Sequence, residues 1–527
     1  MDSSRLRSTN PRSTNLRSTD SMRSAGWTRL GFARPTLWLP SIAAALLLVA
    51  LGACSENARQ SVSTANAAAM PRATPIVAAP KAPPWSAASL HEVQSRLAAV
   101  LGDPTLESSG IAIVDANARP LFIRRERRPY TPASTFKILA AISALQTFGP
   151  NYRFITDIRV LDSPTDGRVS SDLWLVGSGD PTLTSDDLRA AAGAVYRSGV
   201  RHVDGALVAD ASAFGGPEVN PAWEPDDLQY DYAAGTSALS VDGGTVEFHL
   251  VPTTPGAPAR IEVRPRGDAV HTSGSVLTSY STALSIARTP SQNLFTFGGH
   301  IATGAEQSFF RPVADMPVYA GRVERALLTE RGVNVRDGVR VGVAPFGGHV
   351  LWRHRSQPLA TIVREMLFSS NNHFAEQLLR AVGAERGIGT EKSGGVVERS
   401  VLARDGVPQA GLRIVDGSGL APTDRIAPIS LATLLARTAV QPIGATLLAA
   451  LPRVGIEGTV RYRQLTDALG RARAKSGHIE NVNALAGFVQ TRSHGRVAFA
   501  FMVNDPRADD GPVDAGIDHA LDVLANE

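Results

Sequence analysis

The sequence predicts an α/β protein in which a β-rich region interrupts a domain built of strands and helices. Two helical patterns, "FKILAAISALQTF" from Phe136 and "PLATIVREMLFSSNNHFAEQLLRAVG" from Pro358, lie far apart in the chain. Between them, from about 155 to 345, short β-like runs and turns dominate, including "DLWLVGSGDPTL", "TVEFHLVP", "RIEVRP" and "GVRVGVAPFG". Strand patterns return near the C-terminus. A length of 527 residues accommodates about three domains.

Residues 1–21 hold the near repeat "RSTNP RSTNL RSTDS" without apolar periodicity, so Met22 is the expected functional start. The stretch from Arg34 to Glu56 carries no charge between its ends and contains "SIAAALLLVALGAC" behind Arg23, Arg29 and Arg34, the pattern of an export signal. Its apolar centre, Ile42 to Ala53, is short for a spanning helix. It ends in Leu51-Gly52-Ala53-Cys54, which resembles a bacterial lipoprotein processing box, and Cys54 is the only cysteine in the chain. The expectation is an exported protein of the periplasm or cell envelope, anchored to a membrane by lipid at Cys54. Residues 55–84, rich in Ala, Pro and Ser, read as a tether. The net charge of +4 obeys the same division, because residues 1–53 carry seven Arg against Asp2 and Asp20. The chain beyond residue 53 is close to neutral, and no nucleic-acid partner is expected.

Folded sequence begins at "SLHEVQSRLAAVL", where Leu90, Val93, Leu97 and Val100 recur at helical spacing. "SGIAIVDANARPLFIRR" reads as two strands around a turn. In "TPASTFKILA" Thr131 is a candidate N-cap and Pro132 suits the first turn of a helix that is apolar on nearly all sides and stops at Gly149-Pro150. Ser134 and Lys137 then share one face. Within the β-like region clear helical stretches are few, apart from "DDLRAAAGAVYRSG". The C-terminal part reads as a strand in "RARAKSGHIENVNALAGFVQTR", a strand in "RVAFAFMVND" and a closing helix in "GIDHALDVLAN".

Only Lys81, Lys137, Lys392 and Lys475 are lysines among 53 basic residues. Arg is always charged, whereas a buried Lys can lose its proton. A lysine on a buried helix therefore suits a site that needs a neutral amine. Three groups carry the chemistry: Ser134-Thr135-Phe136-Lys137, Ser370-Asn371-Asn372 and Lys475-Ser476-Gly477. This order is that of the S-x-x-K, S-D-N, K-T-G set of class A β-lactamases and penicillin-binding proteins. Serine needs a base to become a nucleophile, and Lys137 qualifies if burial and a nearby Lys475 lower its pKa. Ser370 can relay protons, Asn372 can orient a substrate amide, and Lys475 with Ser476 suits a carboxylate. Backbone N–H groups of Ser134 and His478 suit an oxyanion. Ser418, between Gly417 and Gly419, resembles a nucleophile elbow but lacks G-x-S-x-G, and reads as a loop near the site. No metal motif is present and no cofactor is expected.

The resemblance extends further, through "GSGDPTL" at 177–183, "YDYAAGTSALSVDGGTV" at 230–246, "DGSGLAPTDRIAP" at 416–428 and "GIEGTVRYR" at 455–463. From about residue 85 onward the chain resembles the D-alanyl-D-alanine carboxypeptidase/endopeptidase family, the class C low-molecular-mass penicillin-binding proteins. The long interval between Ser134 and Ser370 is its most selective feature. The resemblance implies a β-lactamase-like transpeptidase domain, an antiparallel sheet flanked by helices, from 85–155 and 350–527. It also implies an inserted region at 156–349 made of two nested domains, one from 156–253 with 320–349 and the other from 254–319. The implied activity is hydrolysis of D-Ala-D-Ala bonds, or of cross-links, in peptidoglycan peptides through acyl-Ser134, with Lys137 as general base, Ser370 as relay, and Asn372, Lys475, Ser476, Gly477 and His478 binding substrate. β-Lactam antibiotics would be inhibitors. Asn371 stands where the family usually has Asp, and His478 where Thr is common. A β-lactamase or esterase using the same residues, and a non-catalytic wall-binding lipoprotein, are the alternatives.

Overall fold

The computed structural model describes residues 83–527 apart from 290, 305, 506 and 508. The export segment, Cys54 and nearly all of the tether lie outside the described residues. Helix α1, Ala87–Val100, is opened by Ser86 in a capping box with Ser89 and buries Val93 and Leu97. Strand β1, Gly110–Val114, is buried throughout, and β2, Pro120–Arg124, comes after a turn in which Asp115 Oδ1 accepts from the N–H groups of Asn117 and Arg119 at 2.8 Å. Helix α2, Lys137–Phe148, is buried without interruption from Lys137 to Leu145 and stops at Gly149, whose φ of 81° is open to glycine.

The second helical pattern is two helices, α3 at Leu359–Ser369 and α4 at Asn372–Ala384. The break falls at Ser370, which is left-handed (φ 61°, ψ 36°), and at Asn371, whose Oδ1 accepts from Phe374 N–H at 3.0 Å as the new N-cap. Helix α5 covers Pro428–Ala439.

The stretch from Arg471 to Arg492, read as one strand, is a hairpin of β3, Ala472–Ile479, and β4, Val482–Gln490. It reverses at Glu480-Asn481, with Asn481 left-handed at φ 60°, a conformation in which Asn is favoured. Strand β5, Arg496–Asn504, and helix α6, Asp510–Asn526, complete the chain. The five strands form an antiparallel sheet in the order β3-β4-β5-β1-β2, with β3 at an edge. Alternation sorts its faces. Ile111 and Ile113 pack with Leu485, Phe499 and Phe501 against Val93 and Leu97 of α1 and Ile517 and Leu521 of α6. Ala112, Ala486 and Ala500 face the other way, toward Ile138 and Ile142 of α2 and Leu431 and Leu435 of α5. Small residues on that face let the helices approach closely. The mixed α/β class and the antiparallel sheet flanked by helices are as the sequence predicts.

In the interrupting region, Ile155–Val160, Leu173–Gly177, Leu207–Asp210, Val339–Val341 and His349–Arg355 form one mixed sheet, in which Arg355 pairs with Ile155. Beyond it lie a three-stranded sheet around Thr245–Val251 and a four-stranded sheet around Leu294–Ala302. The helix named from the sequence is present, and a second that was not named accompanies it. Ser185–Arg197 is joined by Met316–Glu330, which buries Met316, Tyr319, Val323 and Leu327 at helical spacing. Its start carries a sequence signal, Asp315 with Pro317 in the first turn, although Asp315, itself left-handed, makes no side-chain cap.

Candidate active site

Ser134 sits in a turn of 3₁₀ helix, Ala133–Phe136, that leads directly into α2. Thr131 does not cap this helix, contrary to its sequence signal. Its backbone is clamped instead by Asn504 at the end of β5, which accepts from Thr131 N–H at 2.7 Å and donates to its carbonyl at 3.1 Å. Those two bonds fasten the Ser134 turn to the central sheet. On the far side the edge strand β3 closes in at Gly477. A Cβ there would lie 2.6 Å from the Pro132 carbonyl oxygen and 3.0 Å from the backbone nitrogens of Ser134 and Thr135, so only glycine fits.

Lys137 is fully buried, and its Nζ meets three oxygens: Ser134 Oγ at 2.8 Å, Asn372 Oδ1 at 2.6 Å and the Ser418 carbonyl at 2.7 Å. The Asn372 amide is oriented from behind, because its Nδ2 donates to the Tyr232 carbonyl of the interrupting region at 2.8 Å. Burial drives the Lys137 pKa down to about 7, against the pull of the Asp416 and Glu376 carboxyls. The sequence predicts Lys475 as a second cause. The repulsion between the two ammonium groups weighs instead on Lys475, which burial first and Lys137 second hold well below the ordinary lysine value.

Lys475 is also fully buried and donates to the Ser476 carbonyl at 2.6 Å. Ser476 Oγ lies 2.8 Å from Thr459 Oγ1, in the "GIEGTVRYR" segment. The Ser370 hydroxyl occupies the α3–α4 junction, two residues before Asn372. The His478 ring is 63% exposed, with Nδ1 3.6 Å from Asp510, so it faces solvent at the rim. Asn371 replaces a charge but keeps the capping oxygen that α4 requires. His373 is packed, with Nδ1 2.9 Å from the Gly235 carbonyl, and burial pushes its pKa down to about 4. Among the described residues no group of three or more His, Cys, Asp or Glu could hold a metal ion.

Sequence reasoning missed the acids beneath Lys137. Glu376 Oε1 accepts from the N–H groups of Gly417 and Ser418 at 3.0 and 2.8 Å, and burial together with Asp416 pushes its pKa up. Ser418 is buried, and it is its carbonyl, not its hydroxyl, that reaches Lys137. Gly419 (φ 76°) passes so close to the Ser134 turn that a Cβ would lie 1.9 Å from the Ala133 carbonyl oxygen. Gly419→Ala is expected to cost more than about 1 kcal/mol of stability, read as a lower unfolding midpoint in urea.

The sequence and the fold that carry this site are similar to those of known proteins. The chain is 32% identical over 477 residues to the D-alanyl-D-alanine carboxypeptidase of Actinomadura sp. (strain R39), covering 86% of this chain and 88% of that one. It is 24% identical over 385 residues to the D-alanyl-D-alanine carboxypeptidase DacB of Haemophilus influenzae, covering 71% and 80%. The fold matches the crystal structure of penicillin binding protein 4 from H. influenzae with a TM-score of 0.71 at 22% identity, over 83% of this chain and 99% of that one. Residues 93–527 match the D-Ala-D-Ala carboxypeptidase 3 (S13) family, and the chain belongs to that family.

Proposed function

We propose that the chain is a serine-type D-Ala-D-Ala carboxypeptidase of peptidoglycan peptides, acylated at Ser134 with Lys137 as the base. One observation carries the assignment of roles. A neutral amine has two N–H groups and one lone pair. The Ser418 carbonyl can only accept, and so can Asn372 Oδ1, whose partner Nδ2 is committed to Tyr232. Both N–H groups of a neutral Lys137 are thereby used, and its lone pair is left for the Ser134 hydroxyl proton.

In the acylation step Lys137 Nζ takes that proton while Ser134 Oγ attacks the carbonyl carbon of the penultimate D-Ala. The backbone N–H groups of Ser134 and His478 stabilise the oxyanion. Expulsion of the terminal D-Ala amine needs a proton, which passes from Lys137 by way of the Ser370 hydroxyl, leaving the acyl group on Ser134. Water then attacks the ester with Lys137 again as base. Asn372 orients the substrate amide, and Lys475 with Ser476 and Gly477 receives the terminal carboxylate along β3. A β-lactam enters by the same first step and remains on Ser134.

The test is incubation of the soluble chain with a labelled penicillin and, separately, with a peptide ending in D-Ala-D-Ala. A stable adduct on Ser134 together with released D-Ala supports the reading, whereas rapid turnover of penicillin without D-Ala release makes the chain a β-lactamase. Because a protonated Lys137 cannot accept a proton, the acylation rate is expected to rise with pH through about 7 and to fall below it, measured from pH 5 to 9. Gly477→Ala forces β3 away from the Ser134 turn and is expected to lower the acylation rate by about 10²-fold.

The expected organisation extends this reading. The pairing of Ile155 with Arg355 supports an insertion that leaves and rejoins the catalytic domain at those residues, and the pairing of Thr245–Val251 with Arg260–Arg264 and Gln307–Pro312 supports a nested unit that begins near Thr245, earlier than the expected 254. No single helix among the described residues is long and apolar enough to cross a membrane. Attachment is proposed at Cys54, through acylation after export, and incorporation of labelled palmitate that is lost in Cys54→Ala is the check.

A further inference from the structure

The turn that presents the Ser418 carbonyl to Lys137 is held by buried acids. Asp416 Oδ1 accepts from Gly419 N–H at 2.6 Å, and Oδ2 accepts from Ala421 N–H at 2.7 Å and from the Trp223 indole N–H at 2.8 Å. Glu376 takes the two N–H groups between, on Gly417 and Ser418, and Asp424 Oδ1 takes Val415 N–H at 2.7 Å. All three carboxyl side chains are buried. Burying acids is costly unless they are bonded, and a turn needs no acid to close, so their concentration here calls for a role beyond loop closure. The bonds converge on one product, a carbonyl 2.7 Å from Lys137 Nζ. Trp223 adds a long-range link, because it belongs to the insertion and packs on this turn through Ala421.

We propose that Asp416 is a positioning residue that acts through Ser418, holding the carbonyl on the Lys137 amine and, through Trp223, tying the insertion to proton transfer at Ser134. The proposal rests on the reading of Lys137 as the base. The groups facing that amine are Ser134 from its own helix start, Asn372 and Glu376 from α4, Asp416 and the Ser418 carbonyl from the turn, and Lys475 from β3. Asp416 favours the ammonium form. Removing its charge therefore makes Lys137 lose its proton at lower pH, while removing its carbonyl-holding bonds slows the step at every pH. Trp223→Phe keeps an aromatic side chain, though a smaller one, but withdraws one donor from Asp416, which concentrates the negative charge and shifts Lys137 the other way.

Acylation by a fluorescent penicillin from pH 5 to 9, with thermal unfolding of each variant, tests this. For Asp416→Asn the plateau rate is expected to fall by about tenfold or more, and the acid limb to move down by about one pH unit. For Trp223→Phe the plateau is expected to fall by about threefold, the worth of one hydrogen bond, with the limb moving to higher pH. Opposite displacements are the signature, since mere loosening of the turn lowers the plateau and leaves the limb in place. A folded Asp416→Asn with the wild-type limb overturns the proposal. If Asp416→Asn does not fold, Trp223→Phe decides, and an unchanged profile there has the same meaning. A wild-type chain that acylates with no acid limb at all removes Lys137 as the base and this proposal with it, an outcome distinguishable because it appears before any variant is made.

Discussion

Ser134→Ala is expected to form no penicillin adduct and to release D-Ala at least about 10³-fold more slowly than the wild type, with an unchanged melting temperature. The hydroxyl is the only atom removed, and its one side-chain bond is to Lys137 at 2.8 Å. Thr135, buried beside it, cannot substitute, because its hydroxyl donates to the Pro132 carbonyl at 2.7 Å. Intact mass spectrometry after exposure to a penicillin separates the two outcomes. An adduct on the variant would move the nucleophile to another residue.

Lys137→Arg is expected to lower the acylation rate by about 10² to 10⁴ while preserving the positive charge. A guanidinium cannot give up its proton near neutral pH. It also presents a planar fork of donors where the three oxygens at 2.6 to 2.8 Å surround a single nitrogen. The side chain at this position is fully buried, away from the water that would hydrate a fixed charge, so the unfolding temperature is expected to fall as well. Acylation at the wild-type rate would show that a neutral amine is not the requirement, whatever the stability.

Motif order in the sequence was enough to bring Ser134, Lys137 and Asn372 together, because each motif carries its own local geometry. Lys475 and Gly477 were legible for the same reason, and the edge position of their strand came from the run of strands after it. The acids Glu376 and Asp416 were not. In the sequence Glu376 is one polar position on an amphipathic helix and Asp416 one residue of a Gly-Ser turn, and both are more often solvated in such places. Their burial depends on segments that meet only in the folded chain, Trp223 from the insertion above all. Local signals misled in the same way at Thr131, a good cap by composition whose backbone is taken by Asn504. The hairpin at Glu480-Asn481 was hidden because alternation runs through it, and a left-handed Asn carries little signal on its own. The helix at Met316–Glu330 had both the right spacing and a start signal in Asp315 and Pro317, and was overlooked among the strand-like runs around it.

The clamp between Thr131 and Asn504 joins residues 373 positions apart. Strand β1 depends on the same distant partner, since β5 lies between it and the edge strand of the site. During synthesis the first third of the catalytic domain therefore waits for β5, and its nucleophile turn has nothing to fasten to until that strand emerges. Contacts so remote in sequence delay folding. A chain that has not yet released β5 cannot complete its sheet, and so cannot become an active hydrolase, and its chemistry begins only once that strand has arrived.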